Sequence, residues 1–310
     1  MVSNAQKLNN SSSFANFIKS KWRSSAKDKT SRHSSTNSAA DIERDWVRHS
    51  ALKLALNSNY QAPIHDLLKG GGSEVLDIGC GAGFWTNDMA AQYPISHFTG
   101  IDIDKNIFPN NATARNVVFQ RVDLLQLPLP YEDNTFDLIF MRCMVDIIPD
   151  EAWDALLSEL ARIMKKGGYI ECVEAYPDLL DAGPATNTIM QLINQTPSNI
   201  PQQPGSPTAT MMQNPLPNRI ATMNQLKGMQ IKHIHTPVGR YGGAVGSLLL
   251  EHWERVIQSS RQKWVQNKLI TEKQLAATIK DFQEEVEQRQ TYMSWYIVMA
   301  QKVNNGSAIY

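Results

Sequence analysis

Three glycines and an acid stand together near the first quarter of the chain. Residues 74–89 read Glu-Val-Leu-Asp-Ile-Gly-Cys-Gly-Ala-Gly-Phe-Trp-Thr-Asn-Asp-Met. Gly79, Gly81 and Gly83 alternate with Cys80 and Ala82, and Asp77 lies two residues ahead of the first glycine. Glycine serves two needs in such a loop: it accepts the positive φ of a tight turn, and it leaves no Cβ between the backbone and a ligand. Val75, Leu76 and Ile78 before the loop form the short apolar run of a strand buried on both faces. Residues 84–92 after it carry a helical pattern. Strand, glycine turn and helix in that order open a nucleotide-binding fold.

The spacing chooses between nucleotides. A dinucleotide fingerprint, G-x-G-x-x-G, would place its third glycine at position 84, which is Phe84. A pyrophosphate is best met by bare amides at a helix N-terminus. A carboxylate at Asp77 suits instead a ligand that carries an ammonium. S-adenosylmethionine (SAM) has an amino-acid end and a sulfonium but no phosphate, so the loop favours SAM over NAD. Asp102, beside Ile103 at the end of the next apolar run, is placed to accept two ribose hydroxyls, which both ligands possess. Asp123 ends a third run and can accept an adenine amine while Leu124 packs on the ring. Arg142 follows a fourth run and leads into Cys143, Met144, Val145 and Asp146, at the sheet edge where doubly wound folds bind ligands.

Other candidates flank this core. A helix expected over 41–57 carries Trp46 and His49; it is either a packing helix or a lid that turns one of them to the ligand. Tyr176 leaves the fifth strand at the ligand edge and is a candidate substrate contact. A general base is needed only for an acceptor protonated at working pH. Glu174, Asp146 and His49 are the candidates, and none stands out by sequence alone. His233 and His235 share a strand face without a third ligand at a diagnostic spacing, so no metal is expected.

The elements that must hold these groups alternate between strand and helix. Strands are expected across residues 75–78, 96–103, 117–122, 136–141, 169–175, 229–236 and 292–302. Helices are expected from Pro63 to the glycines at 70–72, then over 84–92, 151–164, 186–195, 245–260 and 271–289. Lys165 and Lys166 read as complements of a helix C-terminus, with Gly167 and Gly168 as its stop. Residues 177–219 are rich in Pro, Gln, Asn, Thr and Ser and read as a substrate cover inserted at the ligand edge, with 240–290 as a second cover segment.

The chain has 310 residues, 42% of them hydrophobic, enough for a large core. No apolar run approaches the ~20 residues of a membrane helix, so a protein without a transmembrane segment is expected. Three cysteines without a C-x-x-C pair read as buried thiols in a reducing compartment, cytoplasmic or nuclear. The formal net charge is zero, yet residues 1–40 hold seven Lys and Arg against one acid. This Ser-rich basic stretch reads as a disordered tail ahead of one domain over 41–310. Phe14, Phe17, Ile18 and Trp22 would fall on one helical face, which also resembles a mitochondrial transit segment or a membrane-surface anchor. The tail is a candidate site for a protein partner. The sequence offers no aromatic and basic platform for RNA bases, and no nucleic-acid partner is expected.

The stretch 75–83, with Gly100, Asp102, Asp123 and Gly167-Gly168-Tyr169-Ile170-Glu171, resembles class I SAM-dependent methyltransferases over residues 70–175. Phe84-Trp85, Met89-Ala90, Tyr93-Pro94, Phe136-Asp137 and Met141-Arg142-Cys143 are similar to fungal LaeA-like methyltransferases, as is the helical pair before the last strand. The resemblance implies an α/β fold: a Rossmann-like, seven-stranded, mostly parallel sheet with a final antiparallel strand, flanked by helices under a helical cover. It implies that Asp77 with Gly79, Cys80, Gly81 and Gly83 holds the methionine end, Asp102 and Ile103 the ribose, and Asp123 with Leu124 the adenine, with Arg142 beside them. It further implies in-line methyl transfer to a small molecule; the alternative is a methyltransferase-like regulator that binds SAM and acts through protein partners. Arg142-Cys143-Met144-Val145 replaces the Asn-Pro-Pro-Tyr of base and amide N-methylating relatives, which speaks against that route.

Overall fold

The computed structural model describes residues 39–109, 114–195 and 215–303. The tail expected over 1–40 lies outside these, apart from Ala39 and Ala40, which already belong to the first helix. The middle of the 177–219 segment lies outside them too.

Seven strands form one sheet in the order β3-β2-β1-β4-β5-β7-β6. They are β1 (Glu74–Ile78), β2 (His97–Asp102), β3 (Val117–Arg121), β4 (Phe136–Arg142), β5 (Met164–Leu180), β6 (Leu226–Pro237) and β7 (Tyr292–Lys302). The first five run parallel, and β7 enters antiparallel between β5 and β6. This is the expected Rossmann-like α/β architecture. The central strands are apolar at successive positions because helices cover both faces. Along β4, Leu138 and Phe140 point into one core and Ile139 and Met141 into the other.

Eight helices are described: α1 (Ala39–Leu56), α2 (His65–Gly70), α3 (Phe84–Gln92), α4 (Trp153–Ile163), α5 (Pro184–Gln195), α6 (Pro215–Thr222), α7 (Gly243–Gln266) and α8 (Glu272–Gln288). Trp85 of α3 stacks on Phe140 of β4 at 3.9 Å between centroids, fixing the helix after the glycine loop to the middle of the sheet. On the other face α4 buries Leu156, Leu157 and Leu160. α1 packs beside α7, where Arg255 bridges Glu43 at 2.7 Å. Thr271 and Gln274 form a reciprocal capping box at the start of α8.

Several local expectations are corrected. The helix expected over 151–164 is a 3-10 turn, Asp150–Ala152, followed by α4, and Met164 is already extended and paired with Phe136. Lys165 therefore complements no helix dipole; its Nζ donates to the Asp137 carboxylate at 2.7 Å, and that carboxylate also accepts the Glu74 amide. Gly167, at φ +80°, bends a long strand rather than stopping a helix. α6 was not expected at all. Of the thiols only Cys172 is buried, while Cys80 and Cys143 are half-buried at the ligand edge. Among the described residues no helix is long and apolar enough to cross a membrane.

Candidate active site

The loop after β1 uses its three glycines for different ends. Gly79, Gly81 and Gly83 all have positive φ, at 65°, 55° and 73°. A Cβ on Gly79 would stand 2.3 Å from the Met144 sulfur, and one on Gly83 would stand 2.5 Å from the Phe119 ring. A Cβ on Gly81 would meet nothing within 4 Å. The outer glycines thus let side chains close on the backbone, and the middle one leaves an open cradle.

Asp102 forms the rim of that cradle. One of its oxygens accepts the Gly81 amide at 3.0 Å and the other the Asp104 amide at 3.1 Å. Burial raises its pKa above the usual carboxylate range. Ile103 beside it is 56% exposed. Across the same edge Asp123 accepts the Leu125 amide at 3.0 Å, and Leu124 is half-buried. These residues, expected together, are brought to one edge of the sheet.

Asp77 lies beneath the loop, 3% exposed. It accepts the Thr86 hydroxyl at 2.6 Å, which ties β1 to the first turn of α3. Burial pushes its carboxyl up to about 7, opposed by the Thr86 bond and the nearby Arg142 charge.

Arg142 and His49 join α1 to the sheet. Arg142 Nη1 donates to His49 Nδ1 at 3.2 Å. A guanidinium can only donate, so Nδ1 is the acceptor, and Nε2 carries the proton that it donates to Asp88 at 3.0 Å. Burial holds His49 down at about 4, and its ring stacks on Phe84. His49 thus has both ring nitrogens engaged, one with Asp88 and one with Arg142. It clamps α1 to α3, helped by Lys53 on the same Asp88.

Glu174, another base candidate, braces a turn. It is buried, and its oxygens accept the amides of Met144 at 2.9 Å and Val145 at 3.4 Å. Burial pushes its carboxyl up to about 8. It holds the turn that presses Met144 against Gly79. Asp146 differs from both: it is exposed, and partial desolvation raises its pKa. Trp46 is half-buried on α1. Tyr176 finds its partners on β6 and β7, bonding His233 Nδ1 at 3.2 Å and packing at 5.2 Å on Tyr296. Thr86, Asp88 and Phe119 escaped the sequence reading, because each acts through a partner elsewhere in the chain.

Residues 75–168 match the family model of a methyltransferase domain. Demethylmenaquinone methyltransferase of Staphylococcus aureus is 33% identical over 108 residues, 33% of this chain and 43% of the relative. The chain thus spans under half the length of that relative. Among solved structures, phosphoethanolamine N-methyltransferase 2 of Haemonchus contortus aligns with a TM-score of 0.49 and 16% identity, over 86% of this chain and 58% of that one. Geranyl diphosphate C-methyltransferase of Streptomyces coelicolor A3(2) aligns with a TM-score of 0.47 and 16% identity, over 88% and 86%. Likenesses at this level say nothing of chemistry. The family match runs from β1 into β5, so the glycine loop, Asp102, Asp123 and Arg142 all lie within the stretch that matches a methyltransferase domain.

Proposed function

We propose that the protein is a SAM-dependent methyltransferase acting on a small-molecule acceptor. The observation that carries this reading is the open cradle over Gly81, rimmed by the Asp102 carboxylate, inside the stretch that matches a methyltransferase domain. A bare backbone beside an acid at the end of β2 fits an adenosyl ribose. The bound cofactor supplies an electrophilic methyl group on a sulfonium. The chain's own part is to bind, orient and exclude water. The backbone of 79–83, with Asp77 and Arg142, takes the amino-acid end. Asp102 and Ile103 take the ribose, and Asp123 with Leu124 the adenine. α1, held by His49, covers the edge. Where the acceptor must lose a proton, Asp146 is the carboxylate exposed to receive it.

The acceptor named for the Staphylococcus aureus relative, demethylmenaquinone, is a small molecule, which supports the acceptor class. The paired helices α7 and α8 ahead of β7 support the nearer likeness to fungal LaeA-like methyltransferases. Residues 1–38 are read as a basic tail outside the catalytic domain that offers a site for a protein partner. Titration calorimetry with SAM, S-adenosylhomocysteine and NAD tests the reading, followed by transfer of labelled methyl to cell extract. Binding of SAM and its demethylated product, without NAD, is expected. Micromolar NAD binding with no SAM binding would overturn it.

A further inference from the structure

Glu171 places an acid inside the sheet. It stands on β5 between Phe140 of β4 and Met299 of β7, and it is wholly buried. Its oxygens meet the backbone of one short segment. The Gln61 amide donates to both, at 2.9 and 2.8 Å, and the Ala62 amide to the second, at 2.7 Å. Burial pushes its carboxyl up to about 7, against the pull of those amides. An apolar side chain there would leave two donors facing the core unmet. Residues 57–64 link α1 to α2, and Glu171 is not their sole seat. Trp85 Nε1 donates to the Asn59 carbonyl at 2.6 Å, while the Trp85 ring stacks on Phe140 beside Glu171. Lys232 of β6 holds the Gln61 side chain from outside, at 2.7 Å. Arg142, which bonds His49 of α1, stands two residues beyond Phe140 on β4 and so on the same face of the sheet.

We propose that Glu171 is a positioning residue for the cofactor site: it seats the segment that leaves α1, and so fixes how α1 lies across the end of β4 over a bound cofactor. The proposal rests on the methyltransferase reading above. A carboxylate suits the task because its two oxygens accept several N–H groups at once, here from successive residues that pair with no strand. α1 is then held at two points, by His49 along its length and by Glu171 past its end. Without the second hold the end of α1 nearest the linker is free to lift, and a bound cofactor escapes more often.

The test measures association and dissociation rates of S-adenosylhomocysteine by stopped flow on the full chain, as wild type, Glu171→Gln and Glu171→Leu. Hydrogen exchange of α1 and α8 is followed in parallel. Glu171→Leu is expected to release the ligand about tenfold faster, the factor that one unmet buried donor is worth, with little change in association. Its α1 amides should exchange faster while those of α8 keep their protection. Glu171→Gln retains an acceptor oxygen and should stay near wild type. If Glu171→Leu does not fold, Glu171→Asp, whose carboxylate is one methylene short of the amides, takes its place with the same expectation. A folded variant that releases the ligand at the wild-type rate overturns the proposal. So does faster release accompanied by equally faster exchange in α8, which would make Glu171 a support of the whole fold. If wild type binds neither S-adenosylhomocysteine nor SAM, the methyltransferase reading itself fails, and the exchange of α1 still decides whether Glu171 seats it.

Discussion

Asp77 enters the site as an acid that burial has brought to about 7. A cofactor ammonium beside it favours the ionised form, so binding drives a proton off the carboxyl. Affinity should therefore fall as pH drops below about 7. The ammonium itself has an ordinary pKa of about 7.7–8.0, so affinity should fall again above that. A bell-shaped profile peaking between the two is expected from calorimetry across pH 5.5 to 9, and Asp77→Asn should bind more weakly with its acid limb flattened. A profile flat from pH 6 to 7 would place the ammonium elsewhere. At Gly81, where an added Cβ meets only open space, valine would put its branches into the cradle at a φ of +55° that β-branched residues resist. Gly81→Val is expected to stay folded by circular dichroism and to show no SAM binding; retained binding would mean that the cradle holds something else. The two strand-end acids should rank. Asp102 holds two backbone amides and is read as meeting two hydroxyls, with hydrogen bonds to charged groups at about 1.5–3 kcal/mol. Asp123 holds one amide, and its loss should cost on the order of 1 kcal/mol. Dissociation constants of Asp102→Ala and Asp123→Ala decide the order, and the reverse ranking would make adenine recognition dominant.

Helix α5 starts without a capping residue of its own and borrows one from α8. Glu285 accepts the amides of Ala185 and Thr186, each at 2.9 Å, and the Thr186 hydroxyl. A carboxylate on the first amides of a helix also meets the positive end of its dipole. Glu285→Ala should destabilise the protein by about 1–3 kcal/mol in chemical denaturation, with Glu285→Gln losing less. An unchanged midpoint would show that α5 docks through its apolar face alone. This cap also marks what the sequence could and could not disclose. β1, α3, β4 and β7 were legible because apolar runs, glycines and turn residues all pointed the same way locally. The end of α4 was misread because Lys165, Lys166, Gly167 and Gly168 are ordinary helix terminators; the pairing of Met164 with Phe136 and the bond from Lys165 to Asp137, more distant in the chain, override them. The site divides in the same way. Asp77, Asp102 and the glycines announce themselves by spacing. The Glu174 brace under Met144 and the His49 bonds to Asp88 and Arg142 join residues far apart in sequence, and no local pattern encodes them.

Across the whole molecule the charge is segregated: the +6 surplus before residue 41 offsets a −6 surplus after it. Deleting residues 1–38, just short of α1, should leave SAM affinity unchanged and alter where the protein resides in the cell. Loss of SAM binding in a folded truncation would make the tail part of the site. The sheet order has a consequence for how the chain is made. β6 pairs with β7 and with no other described strand, and β7 also covers the open side of β5. Synthesis runs from the N-terminus, so the ribosome releases β5, then β6, then two long helices before β7 exists. For that interval two strand borders stand open at once, and open borders are templates for pairing with a neighbouring polypeptide. N-terminal segments can fold during translation, but the closure of this sheet waits for Tyr292–Lys302. Protection of the nascent chain over that interval falls to the exit tunnel and to the chaperones that meet it there.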